Sequence, residues 1–195
     1  MEKEFSPQES LQLIQGMINK AQNKFAENGF LYLLWGWVVF ICALVQYAVL
    51  KFKISFINHP EWIWFSTIIA VVVQFIFLAK QEKKVLAITY TDELIKYAWI
   101  VFGISMMLVS FILGKTNIWH LAFPIVFVMY GIPTFLCGVI MRFNPLKFGA
   151  ICCWIIAVVA TFVSSLEVLL LLALAMVTTW IIPGYLLKKK SGLNN

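Results

Sequence analysis

The residues best able to do chemistry in the apolar parts of this sequence are two glutamines, two histidines, four cysteines and a proline-interrupted stretch. Gln46 and Gln74 are uncharged amides inside long apolar runs. Such groups either line a solute path or join helices by hydrogen bonds worth about 0.6 kcal/mol on average. Their positions in successive runs put them toward opposite sides of a bilayer, so they are not expected to share one site. Imidazole is a common metal ligand, yet His59 and His120 stand at run ends with no ligand cluster beside them. Cys42, Cys137, Cys152 and Cys153 lie within runs, without C-x-x-C or Cys/His spacing. They read as small hydrophobes rather than a metal site or disulfide framework.

Pro124 and Pro133 interrupt a fourth run, with Gly131 close to the second. A broken helix at membrane depth can offer backbone groups to a ligand; it can equally be a kink whose freed groups neighbours satisfy. Tyr130, Gly131, Pro133 and Thr134 are therefore the ligand-pocket candidates, with Gln46 and Gln74 as more distant members. The ionisable residues Glu61, Lys96 and Glu167 sit at run ends, where they reach headgroups or water. There is no H-E-x-x-H, no G-x-S-x-G, no glycine-rich phosphate loop and no pair of intramembrane acids. No catalytic residue, metal ligand or cofactor is expected, and the chain reads as a non-enzyme.

The elements that must position these residues are six apolar runs: Gly29–Leu50, Trp62–Ala79, Ile95–Leu113, Ile118–Met141, Phe148–Val163 and Leu166–Leu187. Runs of about 18 residues match a hydrocarbon core roughly 30 Å thick, and backbone groups in lipid must be satisfied within a helix. With 62% hydrophobic and 12% charged residues in 195, little remains for a soluble domain. The expectation is an all-α polytopic membrane protein with six transmembrane helices in antiparallel hairpins. It divides into an arm over 1–28, a membrane domain over 29–187 and a basic tail over 188–195.

The arm carries its own signals. Ser6-Pro7-Gln8-Glu9 reads as a capping box with proline at the first helical position. Leu11, Ile14, Ile18 and Phe25 form an apolar stripe, and Asn28-Gly29 reads as a helix stop. Such a helix either lies along the cytoplasmic headgroups or docks a partner. No signal-peptide core precedes the first run. Tryptophans are expected to mark the membrane interfaces. In the fifth run Gly149, Cys153, Ala157 and Ala160 make a smooth stripe for close helix packing, within the chain or in a homo-oligomer.

The net charge of +6 reads as orientation and not as nucleic-acid binding. With the N-terminus inside, twelve lysines and arginines fall on the cytoplasmic side and Lys51, Lys53 and Lys115 outside, a positive-inside bias. Trp35-Gly36-Trp37, Thr89-Tyr90-Thr91-Asp92 and Phe143-Asn144-Pro145-Leu146 followed by Gly149 resemble strings in a family of small six-span inner-membrane proteins of Bacteroidetes type. That resemblance implies a bacterial cytoplasmic membrane and brings no catalytic residues.

Two functional classes stand at this point. One is an interaction or regulatory protein docking a cytoplasmic partner. The other is a small-solute transporter or substrate-binding membrane subunit, similar in size to the vitamin-capturing subunits of energy-coupling-factor transporters but without their Ala-x-x-x-Ala pattern in the first span.

The charge bias predicts that reporter fusions after Asn58 and Ser165 read as periplasmic, and those after Glu82 and Asn195 as cytoplasmic. A periplasmic C-terminus would refute the six-span arrangement.

Overall fold

The computed structural model describes the backbone of residues 7–54, 59–82 and 90–192. Side chains are described for residues 8, 29–54, 59–80 and 93–190. Among the described residues there is no strand. The helices are α1 (Pro7–Lys51), α2 (Ser66–Glu82), α3 (Tyr90–Thr116), α4 (Ala122–Ile140), α5 (Asn144–Ala160), α6 (Val168–Met176) and α7 (Ile182–Gly192). Short 3-10 turns lead into α2 and α4, and a π-helical turn, Val177–Ile181, joins α6 to α7. The chain is an all-α polytopic protein. Among the described residues, five helical stretches are long and apolar enough to cross a membrane. The helix α5, at 17 residues, is shorter; at about 25 Å it lies at the low end of the spanning range.

Helix α1 packs on α2, α4 on both α3 and α5, and α5 on α6, and the first helix closes against the last. Gly29 lies against Gly184 and Lys188, and Gly36 against Trp180 and Ile181. This seam sets aside the expected helix stop at Asn28-Gly29, because α1 runs unbroken for 45 residues. A glycine stop needs a left-handed residue, and no described glycine has positive φ. Gly29 serves close packing instead: a Cβ there would stand 3.2 Å from the Gly184 carbonyl. The arm's backbone therefore continues the first span. Ser6 and the side chains of Leu11, Ile14, Ile18 and Phe25 lie outside the described residues.

Among the described residues, three helices are followed within two residues by a non-glycine residue with positive φ: Lys53 (49°), Asn117 (57°) and Arg142 (49°). At each, the following N–H reaches back five residues: Ile54 to Val49, Ile118 to Leu113 and Phe143 to Gly138. That is the Schellman closure, which satisfies orphan carbonyls and turns the chain sharply. After Arg142, Asn144 and Pro145 open α5 at once, so α4 and α5 form the tightest hairpin of the bundle.

The helical irregularity falls elsewhere than expected. The helix α4 is continuous over Ala122–Ile140. Pro124 sits in its first turn, where the missing N–H would have no intrahelical partner. Pro133 is accommodated inside it. The interrupted span is the sixth. There Pro183 has no N–H and its ring crowds the carbonyl four residues back. The helix widens instead, and the Ile182 N–H bonds Val177 O five residues back.

The α5 stripe of Gly149, Cys153, Ala157 and Ala160 is buried, and it lies against the π turn. A Cβ on Gly149 would be 2.8 Å from both Thr178 O and Thr179 Cα, which are backbone atoms with little room to yield. Gly103 on α3 meets nothing within 4 Å. Gly149→Ala should therefore lower stability in detergent by about 1–3 kcal/mol, whereas Gly103→Ala should leave it unchanged or raise it through helix propensity. Thermal melting of both variants checks the contrast, and equal melting would show that α5 does not approach the π turn so closely.

Candidate functional site

Tryptophan N–H groups make the connections that hold the membrane domain's polar atoms. Trp35 on α1 donates to Gln74 Oε1 on α2 at 2.5 Å, and Trp64, in the turn before α2, donates to Gln46 Oε1 on α1 at 2.7 Å. The two pairs form a reciprocal ladder: α1 supplies one donor and one acceptor, and so does α2 with its leading turn. Cys42 and Ser66 approach at 3.1 Å between the rungs. Gln46 and Gln74 thus join the same two helices at opposite ends and do not meet each other.

A second cluster centres on Trp180 in the π turn, which is 4% exposed. Its ring lies edge-on to Tyr130 of α4 at 5.2 Å, Trp99 of α3 at 5.7 Å and Tyr32 of α1 at 6.3 Å. Phe102 of α3 adds contacts with Tyr130 at 5.0 Å and Trp99 at 5.6 Å. Edge-to-face pairs of this kind contribute about 0.5–1.5 kcal/mol each beyond area burial. The Trp180 N–H donates to Thr134 Oγ1 at 3.3 Å, and that hydroxyl donates to Tyr130 O at 2.8 Å. Cys137 is buried in the same core cluster.

Two further buried polar contacts tie α5 in. Thr179 Oγ1 donates to Gly149 O at 3.1 Å, and Cys153 Sγ to Phe127 O at 3.3 Å. Among the described residues, every buried side-chain nitrogen or oxygen has a hydrogen-bond partner.

The ligand-pocket candidates divide among three places. Tyr130 and Thr134 belong to the Trp180 cluster. Gly131 faces α5, where it lets the Trp154 indole lie on the α4 backbone and donate to Val128 O at 3.2 Å. Pro133 turns toward α3 and lines an open apolar groove of about 510 Å³. Leu94, Ala98, Val101 and Ser105 of α3 form one wall of that groove, and Met129, Pro133, Leu136 and Ile140 of α4 the other. Pro133 also leaves the Met129 carbonyl without its usual i+4 donor.

Outside the bundle, His59 Nδ1 meets Glu61 Oε1 at 2.9 Å and stacks on Trp62 at 5.1 Å. Among the described residues no three His, Cys, Asp or Glu side chains gather as a metal cluster.

Sequence reasoning placed tryptophans at the membrane interfaces and missed that Trp180 is the centre of the core. The signal available was Thr178-Thr179-Trp180 followed by Pro183, a polar pair and an indole beside a residue that breaks the α pattern.

Comparison with protein-family models, curated proteins and solved structures finds no match to this chain.

Trp180→Phe keeps the ring and removes the donor, while Thr134→Val removes the acceptor and leaves the indole N–H unpaired. Each should cost about 0.6–1.7 kcal/mol in a detergent unfolding assay, and the double mutant less than the two losses together. Additive losses would show that the pair is not coupled.

Proposed function

We propose that the protein is an interaction or regulatory protein of the bacterial cytoplasmic membrane, with both termini inside and a helical arm that docks a cytoplasmic protein. The single observation behind this reading is the continuity of α1 from Pro7 to Lys51. A stop at Gly29 would leave the arm free to turn onto the headgroups. A continuous helix extends the first span by about 33 Å, at 1.5 Å per residue. Its sequence stripe of Leu11, Ile14, Ile18 and Phe25 is then an extended apolar edge for another helix or protein.

The base of the arm is held where the bundle is densest. Tyr32 packs on Trp99 and Trp180, Gly29 presses on α7 and Gly36 on the π turn. Force or rotation applied to the arm is delivered to the Trp180 cluster, which gives a docked partner leverage on the membrane domain. The positive-inside bias and the resemblance to small inner-membrane proteins support the orientation and the compartment.

A solute carrier is the other class the sequence leaves open. It needs a route between helices, and the place where α1, α3, α4 and the π turn meet is occupied by the rings of Tyr32, Trp99, Tyr130 and Trp180. That packing favours the docking reading.

Two arm variants test it. Ile14→Asp with Ile18→Asp removes the apolar edge. Glu27→Pro with Asn28→Pro breaks the helix, at about 3 kcal/mol or more for an interior proline. Both should insert with normal topology and abundance, and both should lose the protein that co-purifies with the wild type. Failure to insert, or full retention of the partner, would overturn the proposal.

A further inference from the structure

The groove between α3 and α4 has the dimensions and setting of a site for one lipid chain. Its α3 wall runs from Leu94 to Ser105 with members every three or four residues, a single helical face about 16 Å long. Half of a hydrocarbon core roughly 30 Å thick is about 15 Å. The groove begins at the helix ends near the α4–α5 turn. It closes near the centre of both spans, since Ser105 is midway along Glu93–Thr116 and Met129 midway along Trp119–Ile140. It is thus one leaflet deep. Its walls are open sideways, with Val101 61% and Leu136 45% exposed, and at that depth the surrounding medium is acyl chain rather than water.

The outer rim of the groove carries charge. Arg142 follows directly after Ile140 and Met141, is exposed, and is held in a left-handed turn that closes α4. Glu93 stands exposed at the same end of α3. Lys96 is exposed as well, but helical spacing places it on the face of α3 opposite the groove. One positive and one negative group at the rim suit a headgroup that itself carries a phosphate and an amine.

We infer that this groove holds one acyl chain of a phosphatidylethanolamine-type phospholipid from the leaflet on the α4–α5 side, its phosphate at Arg142. The chain fills the gap that α3 leaves beside Pro133 and so stabilises α3, a helix whose main packing is on α4. The inference is independent of what the arm docks.

Native mass spectrometry of the full chain, offered equimolar phosphatidylethanolamine and phosphatidylglycerol in detergent, tests it. The wild type should keep one phosphatidylethanolamine under conditions that strip other lipids. Ala98→Trp and Leu136→Trp each fill the groove from a different helix and should lower retention about tenfold. Ile100→Trp, exposed on another face of α3, should retain lipid as the wild type does. Arg142→Gln should lower retention less than filling the groove. Size-exclusion profiles identify any variant that fails to fold, and the two filling variants are independent of each other. Undiminished retention in a folded filling variant, or equal loss in Ile100→Trp, would overturn the groove as the site. Preference for phosphatidylglycerol would overturn the headgroup assignment.

Discussion

An indole N–H inside a hydrocarbon layer has no water to bond, and leaving it unpaired carries the full cost of desolvating a polar group. This bundle meets that constraint by sending such donors across helix boundaries. Trp35 and Trp64 bond glutamines, Trp154 a backbone carbonyl, Trp180 a threonine and Trp37 the Tyr185 hydroxyl. Each bond fixes both the register and the rotation of two helices. Burial of apolar surface cannot do that in lipid, because lipid tails are as apolar as leucine. The helices α2 and α3 are largely exposed along their lengths; these bonds locate α2, and ring contacts and packing on α4 locate α3. The inner helices add close backbone approach at Gly29, Gly36 and Gly149.

The architecture was legible in the sequence because length and hydropathy are properties of single segments. Antiparallel hairpins followed from short connections in the same way. The small-residue face of α5 was legible too, since the spacing of Gly149, Cys153, Ala157 and Ala160 is visible without knowing the neighbour. Pairing across helices was not. Gln46 and Gln74 were recognisable as hydrogen-bonding groups, but nothing local showed that each meets a tryptophan from the other's helix. Tryptophan is ambiguous by nature: its amphipathic ring suits a headgroup layer and a buried donor equally well.

The two departures from expectation share one cause. Gly29 and the prolines of the fourth span are residues whose effect depends on what lies beside them. Glycine ends a helix when the chain is free to turn left-handed, and permits close contact when another helix occupies that side. Proline breaks a helix where the lost bond and the ring clash have no relief. In α4 the relief is position for Pro124 and tolerance within a continuous helix for Pro133. In the sixth span it is a widened turn, and that widening sets Trp180 at the centre of the packing.

The pairing of α1 with α7 has a consequence for biosynthesis. Trp37 and Tyr185 are 148 positions apart, so α1 is made well before α7, and the side of α1 that meets α7 is covered only when α7 is in place. In the interval the seam of Gly29 and Gly36 faces lipid, a poor match for a smooth small-residue surface that gains its stability from close backbone contact. Closing so long a loop is a late event, with local hairpins such as α4–α5 formed earlier. The nascent bundle therefore stays open along one side until α7 arrives, and closure of that side is a post-insertion step.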